Sequence, residues 1–277
     1  MKSTGERFIP EQEEGQIKAE HLSRYQLARL LLSLEGKTVL DIACGTGYGT
    51  ALLAQKAQHV YGVDISQEAV DYARKYHQCD NTTFLAGNCS AIPMDDASAD
   101  IVVSFETIEH IENHASFLSE IKRVLRPYGT LIISSPNKRL YTDILKTNNP
   151  YHVHELYTEE FVGLMGKHFH HTVQFGQTYM LGSIICPTGE TDHQTKGMGD
   201  IASGSLVAKE AMFNIIVASD APLQLNGHYN TLTFDITDTL APALHHQYEA
   251  GYNKCRKTPS FRLGHALLHP FSWLKRK

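Results

Sequence analysis

No acidic residue follows Glu249, and no stretch of this 277-residue chain approaches the about 18 apolar residues that a membrane-spanning helix requires. The amino terminus, Met-Lys-Ser-Thr-Gly-Glu-Arg-Phe, lacks the apolar core of a secretory signal, so a cytoplasmic protein is expected. Cysteine is sparse and irregular. The five residues, 44, 79, 89, 186 and 255, are odd in number, and Cys79 and Cys89 stand too far apart for a zinc knuckle. They read as reduced thiols of a cytosolic protein rather than a disulfide framework. The net charge of −5 gives no electropositive footprint, so no nucleic-acid partner is expected. Internal repeats and low-complexity tracts are absent. What remains is ordinary globular material, 42% hydrophobic and 20% charged, enough for one large α/β domain with additions.

Residues 39–49, Val-Leu-Asp-Ile-Ala-Cys-Gly-Thr-Gly-Tyr-Gly, are the most informative stretch. An apolar strand runs into Asp41, and a glycine-rich turn opens behind it. Gly45, Gly47 and Gly49 let the backbone turn tightly and approach a ligand that a Cβ would obstruct. A second apolar run, 59–63, ends in Asp64, about 20 residues past the glycines, where a Rossmann-type site places the acid that holds a ribose diol. The pair implies an adenosine-containing ligand. Asp41 narrows the choice: an acid at the mouth of the turn would repel a pyrophosphate but suits a ligand carrying an ammonium group. Cys44 lies inside the turn, where a small packing side chain is expected and not a nucleophile.

Asp41-Ile-Ala-Cys-Gly-Thr-Gly47 followed by Gly62-Val-Asp64-Ile-Ser66 resembles the first motif and the next acidic strand end of class I S-adenosylmethionine-dependent methyltransferases. The resemblance covers roughly residues 20–180. It implies an α/β fold: a Rossmann-like seven-stranded sheet, mostly parallel with one antiparallel strand, and helices on both faces. The pattern along the chain agrees. A helix is predicted over 16–34, then strand 38–42, helix 48–56, strand 59–63, a helix capped by Ser66 to about 77, strand 82–85, strand 100–105, a helix through 117–125, strand 130–134, a helix from about 158, and strand 172–180. This alternation argues a doubly wound parallel sheet. Residues 211–218 supply a last strand, which the resemblance places antiparallel between the fifth and sixth.

The ligand should lie across the carboxyl ends of the first four strands. By resemblance, the Gly45–Gly47 backbone faces the methionine portion of S-adenosyl-L-methionine, Asp64 takes the ribose hydroxyls, and Ile65 packs on the adenine. Asn88-Cys89 falls where an acid usually accepts from the adenine amino group; Asn88 either accepts through its amide oxygen or merely makes a turn. Phe105 either borders the sulfonium or packs in the core. Residues 5–10 and Glu20-His-Leu-Ser-Arg24-Tyr25 resemble the leader of bacterial methyltransferases associated with surface-glycan and sugar assembly. Arg24 either pairs with the cofactor carboxylate or is an exposed helix arginine.

After the fourth strand comes Glu106-Thr-Ile-Glu109-His110. A helical turn starting there would place Glu106, Glu109 and His110 on one face. With a distal histidine, best matched by His152, they resemble the divalent-ion set of small-RNA 2′-O-methyltransferases and ubiquinone-pathway O-methyltransferases. Three readings stand: a metal site of Glu106, Glu109, His110 and His152; acid–base catalysis by Glu106 and His110, or substrate binding, without a metal; or a structural helix-start and packing role.

Three segments are expected: a helical cap over 1–36, the cofactor-binding domain over 37–240 with an insertion at 182–209, and a basic, apolar tail over 241–277. The tail would lie on an anionic membrane surface or dock on the domain or a partner subunit. The leading function is methylation of a hydroxyl on a sugar, glycan or related small molecule. The alternatives are a nicotinamide-dependent sugar dehydrogenase and a non-catalytic cofactor-binding subunit.

Overall fold

The computed structural model describes residues 9, 16–180, 182–187, 211–226 and 232–233. The expected tail over 241–277, most of the insertion and nearly all of the leader before residue 16 lie outside the described residues. The chain runs α1 (Gln16–Leu31), β1 (Thr38–Ile42), α2 (Tyr48–Ala54), β2 (His59–Asp64), α3 (Gln67–Tyr76), β3 (Thr82–Ala86) and β4 (Ala99–Ser104). A 3₁₀ turn (Ile108–His110) leads to α4 (His114–Val124), β5 (Leu125–Pro136), a π-helical turn (Arg139–Ile144), α5 (Thr158–His168), β6 (His171–Met180), β7 (Gly182–Pro187), β8 (Phe213–Ser219) and β9 (Leu232–Thr233).

The sheet order is β3-β2-β1-β4-β5-β8-β6-β7-β9. Its first seven strands are the expected sheet: β1 to β5 are parallel, and β8 runs antiparallel to both β5 and β6. Two features differ from expectation. Residues 182–187, at the start of the expected insertion, form β7, which pairs antiparallel with β6 and extends the sheet to β9. β5 starts earlier than expected, because Leu125 already pairs with Ala99; a bulge then carries Arg126 to Gly129 before Thr130 joins Ile101.

Successive strand residues face opposite layers, and the core divides accordingly. Val39, Ile101, Val103 and Ile132 pack under α1 and α2 with Leu27, Leu31 and Leu53. Leu40, Val102, Leu131 and Ile133 pack under α4 and α5 with Phe117, Ile121, Phe161 and Met165. Strands buried on both faces explain the unbroken apolar runs. Emptying a core position on the covering helices, as in Phe117→Ala on α4, should cost about 3–5 kcal/mol. The caps fix where helices begin. The Ser66 side chain accepts from the Ala69 amide at 3.4 Å, and the Asn113 side chain accepts from the Ser116 amide at 3.0 Å, starting α4 earlier than its apolar spacing suggests. β1 has β2 on one side and β4 on the other, so a crevice opens where their connections diverge.

Candidate functional site

The glycine turn after β1 stands at that crevice. Gly45 and Gly47 hold φ of 55° and 83°, a region that favours glycine. Their surroundings differ. A Cβ on Gly47 would meet Ala73 and Phe84 at 2.6–2.9 Å, whereas one on Gly45 would meet nothing within 4 Å. Gly47 is therefore required by packing, and Gly45 borders open space. A Cβ on Gly49 would run into the Tyr25 ring.

Asp64, at the end of β2, is 8% exposed and braces the turn. Its Oδ2 accepts from the Gly45 amide and its Oδ1 from the Ser66 amide, both at 2.9 Å. Each carboxylate oxygen keeps a further acceptor site, which two adjacent ribose hydroxyls would use. Ile65 beside it is 73% exposed, an uncovered apolar surface.

Asp41 is fully buried. Tyr25 donates its hydroxyl to Oδ1 at 3.1 Å and Thr50 donates to Oδ2 at 2.7 Å. Burial pushes the Asp41 carboxyl up to about 7, against the opposing effect of the Thr50 and Tyr25 donors and with a smaller push from Asp64. Burial also raises the Cys44 thiol well above its ordinary range, with Asp41 and Asp64 adding to it, so Cys44 is no thiolate.

α1 lies over this turn. Tyr25 packs edge-on against Tyr48 and Phe105, at centroid distances of 5.3 and 5.1 Å. Arg24 is 1% exposed, so it is not a surface helix arginine. Its Nε donates to Gln177 Oε1 at 2.8 Å, its guanidinium stacks 4.4 Å from the Phe213 centroid, and Nη2 stands 3.5 Å from Glu106 Oε2. Gln177 in turn donates to the Glu20 carbonyl and the Ser23 hydroxyl. Phe105 is partly buried and packs against the core under α1.

The segment after β4 departs from the expected helical face. Glu106 has a φ of 50° and precedes the 3₁₀ turn. Its amide donates to Ser134 Oγ at 3.1 Å, and Ser134 donates back to its Oε1 at 2.6 Å. Such a backbone conformation in a non-glycine residue is held by surrounding contacts, here the two to Ser134 of β5. Glu109, His110 and His152 do come together, each presenting a ligand atom within 4.8 Å of the others; Glu106 is not in that group.

The loop carrying His152 is tied to the 3₁₀ turn by the amides of Val153 and His154, which donate to the Glu109 carbonyl. His110 Nδ1 meets the Tyr151 carbonyl at 3.0 Å, an acceptor only, so Nδ1 carries the proton and Nε2 is left as the ligand atom. His152 Nδ1 meets Glu155 Oε1 at 2.5 Å, leaving its Nε2 likewise, while Thr142 donates to the other Glu155 oxygen. Outer partners that fix the histidine tautomer are what a metal centre needs.

Asn88 is exposed and its side-chain oxygen accepts from the Ser90 amide at 2.8 Å, a turn contact that leaves the oxygen a second lone pair. Cys89 is half-buried, with its thiol 3.7 Å from Asn88 Oδ1. A separate depression of about 390 Å³, between Thr38, Tyr61, Met94 and Arg126, lies toward the amino ends of the strands, away from the glycine turn.

Comparisons with known proteins fit this geometry. Residues 40–133 match the methyltransferase domain family. A protein of Mycolicibacterium smegmatis named a probable S-adenosylmethionine-dependent methyltransferase is 39% identical over 165 residues, covering 58% of this chain and 62% of that protein. One of the same name from Mycobacterium tuberculosis H37Rv is 37% identical over 165 residues, covering 58% of each. A phthiotriol/phenolphthiotriol dimycocerosates methyltransferase of Mycobacterium ulcerans is 29% identical over 131 residues, covering 47% of this chain and 45% of that protein. The match thus spans less than two thirds of these curated relatives. A SAM-dependent methyltransferase structure from Thermotoga maritima superposes with a TM-score of 0.53 at 22% identity, over 73% of this chain and 89% of that one. That likeness speaks to the fold, a Rossmann-like methyltransferase sheet. No described helix is long and apolar enough to cross a membrane.

Proposed function

We propose that this chain, built around a class I methyltransferase domain, transfers the methyl group of S-adenosyl-L-methionine to a hydroxyl on a sugar, glycan or related small molecule. The reading is supported by the crevice between β1, β2 and β4: an open approach at Gly45, Asp64 at the end of β2 with acceptor capacity left over, and the buried carboxyl of Asp41 behind the turn, which ionises through about pH 7. A negative group there favours a cationic sulfonium and ammonium ligand and opposes the pyrophosphate of a nicotinamide cofactor, which counts against a dehydrogenase. Similarity to a phthiotriol dimycocerosates methyltransferase is in keeping with an alcohol acceptor.

Methyl transfer is an in-line displacement at the sulfonium carbon. It asks for alignment and for removal of the hydroxyl proton, not for a covalent enzyme intermediate. Glu106 is the group we assign to accept that proton, held at the end of β4 by Ser134. His110, with Nε2 unprotonated when neutral, is the second candidate. The Glu109, His110 and His152 group fits a divalent ion, by its mixed carboxylate and imidazole donors and its fixed Nε2 atoms. Those three residues would hold the ion, which would lower the acceptor hydroxyl pKa. Glu106 would not be a ligand in this arrangement.

The test is transfer of labelled methyl from S-adenosyl-L-methionine to a panel of sugar and lipid alcohols, with matched amines as controls. Labelled alcohols support the reading; label on amines alone overturns the O-methylation part of it.

A further inference from the structure

Arg24 is carried by α1 and faces Glu106 at the end of β4. It is among the largest fully buried side chains among the described residues, yet its carboxylate contact is loose. Nη2 to Glu106 Oε2 is 3.5 Å, against about 2.7–2.9 Å for a well-made charge-assisted hydrogen bond. The rest of the guanidinium is firmly placed: Nε is held by Gln177 at 2.8 Å and the plane lies 4.4 Å from the Phe213 centroid. Glu106 is likewise placed without Arg24, through two contacts to Ser134. Two charged groups, each anchored by other partners, thus meet in a long ion pair at 3.5 Å.

Asp41 and Val103 are register partners on β1 and β4, so Glu106 and the glycine turn continue from adjacent strand ends. Arg24 descends on them from α1, one residue before Tyr25, which bonds Asp41. We infer that Arg24 is an exchangeable counter-ion: it pairs with Glu106 in the free protein and releases it for the carboxylate of the incoming cofactor. The inference rests on the proposed cofactor. A carboxylate approaching the Nη edge can take up the two-pronged geometry that Glu106 does not achieve at 3.5 Å. Glu106 is then left on Ser134 alone, open to the acceptor hydroxyl. Loading of the cofactor would thereby arm the proton acceptor, and Gln177 and Phe213, remote in sequence, act as positioning residues for Arg24.

The experiment is calorimetric titration of the full chain with two probes. S-adenosylhomocysteine carries the carboxylate; 5′-methylthioadenosine has the same adenosine and thioether without it. Glu106→Gln removes the competitor and should tighten S-adenosylhomocysteine binding by about threefold or more, leaving methylthioadenosine within about twofold. Arg24→Gln should weaken S-adenosylhomocysteine by about tenfold or more, again sparing methylthioadenosine. Gln177→Leu, which frees Nε, should show the same selectivity more weakly, and circular dichroism checks that each variant folds. Unchanged or weakened S-adenosylhomocysteine binding in Glu106→Gln overturns the exchange. Equal effects on both probes also overturn it, because a merely structural role would not single out the carboxylate. If the wild-type chain binds neither probe, the cofactor reading itself falls and the exchange with it.

Discussion

Tyr25 on α1 donates its hydroxyl to Asp41 on β1 at 3.1 Å, joining the helical cap to the acid behind the glycine turn. The carboxylate receives a second donor from Thr50 but remains wholly buried, and burial prevails, lifting its titration to about 7. Since the folded value lies above the ordinary 3.8, the folded chain binds more protons than the unfolded chain between about pH 4 and 7. The stabilising contribution is therefore complete below about pH 4 and is lost as pH rises through 7.

Asp41→Asn removes that titration. Its stability relative to the wild type should rise from pH 5 to pH 8 by up to about 1.4 kcal/mol per pH unit. Urea midpoints measured at the two pH values check this. A constant difference would show that Asp41 does not titrate there.

Gly45 and Gly47 should respond differently to alanine. Gly47→Ala meets Ala73 and Phe84 and should destabilise the chain by about 1–3 kcal/mol from overpacking, beyond the backbone cost. Gly45→Ala has free space and should cost only about 1–2 kcal/mol of backbone strain, yet obstruct the ligand. Thermal melts paired with S-adenosylhomocysteine titration separate the two effects.

Asp64→Ala removes the acceptor of the Gly45 and Ser66 amides as well as the expected ribose contact. Binding of S-adenosylhomocysteine should fall by about 1.5–3 kcal/mol per hydrogen bond lost to the charged group. The corresponding titration reads it directly.

The histidine pair makes a metal prediction with a readout independent of activity. Manganese binding followed by electron paramagnetic resonance should show one site, abolished by His110→Ala or His152→Ala and weakened about 10–100-fold by Glu155→Gln, which loosens His152. Glu106→Gln should leave it intact. If no ion binds and EDTA leaves turnover unchanged, while Glu106→Gln or His110→Ala still disables it, proton transfer without metal is the mechanism.

Much of this architecture could be read from residues alone. The glycine turn and the two strand-end acids follow from local spacing, and the antiparallel place of β8 followed from the family resemblance. The cluster after β4 was only half legible. Helical spacing put Glu106 with Glu109 and His110, but its positive φ and the Ser134 contacts turn it toward α1 instead. That outcome depends on a partner 28 residues away on another strand. Gln177 and Phe213 carry no motif at all; they matter because β6 and β8 bring them beneath α1, a consequence of sheet order. Asn88 also makes a local turn contact, accepting from the amide two residues on, which its position as a ligand candidate does not reveal.

The most direct test of the central claim is a calorimetric comparison of S-adenosylhomocysteine, NAD and NADP on the wild-type chain. The account predicts one-site binding of S-adenosylhomocysteine, strengthening from pH 6 to pH 8 as Asp41 ionises, and no binding of either dinucleotide. Binding of NAD or NADP with none of S-adenosylhomocysteine would contradict it.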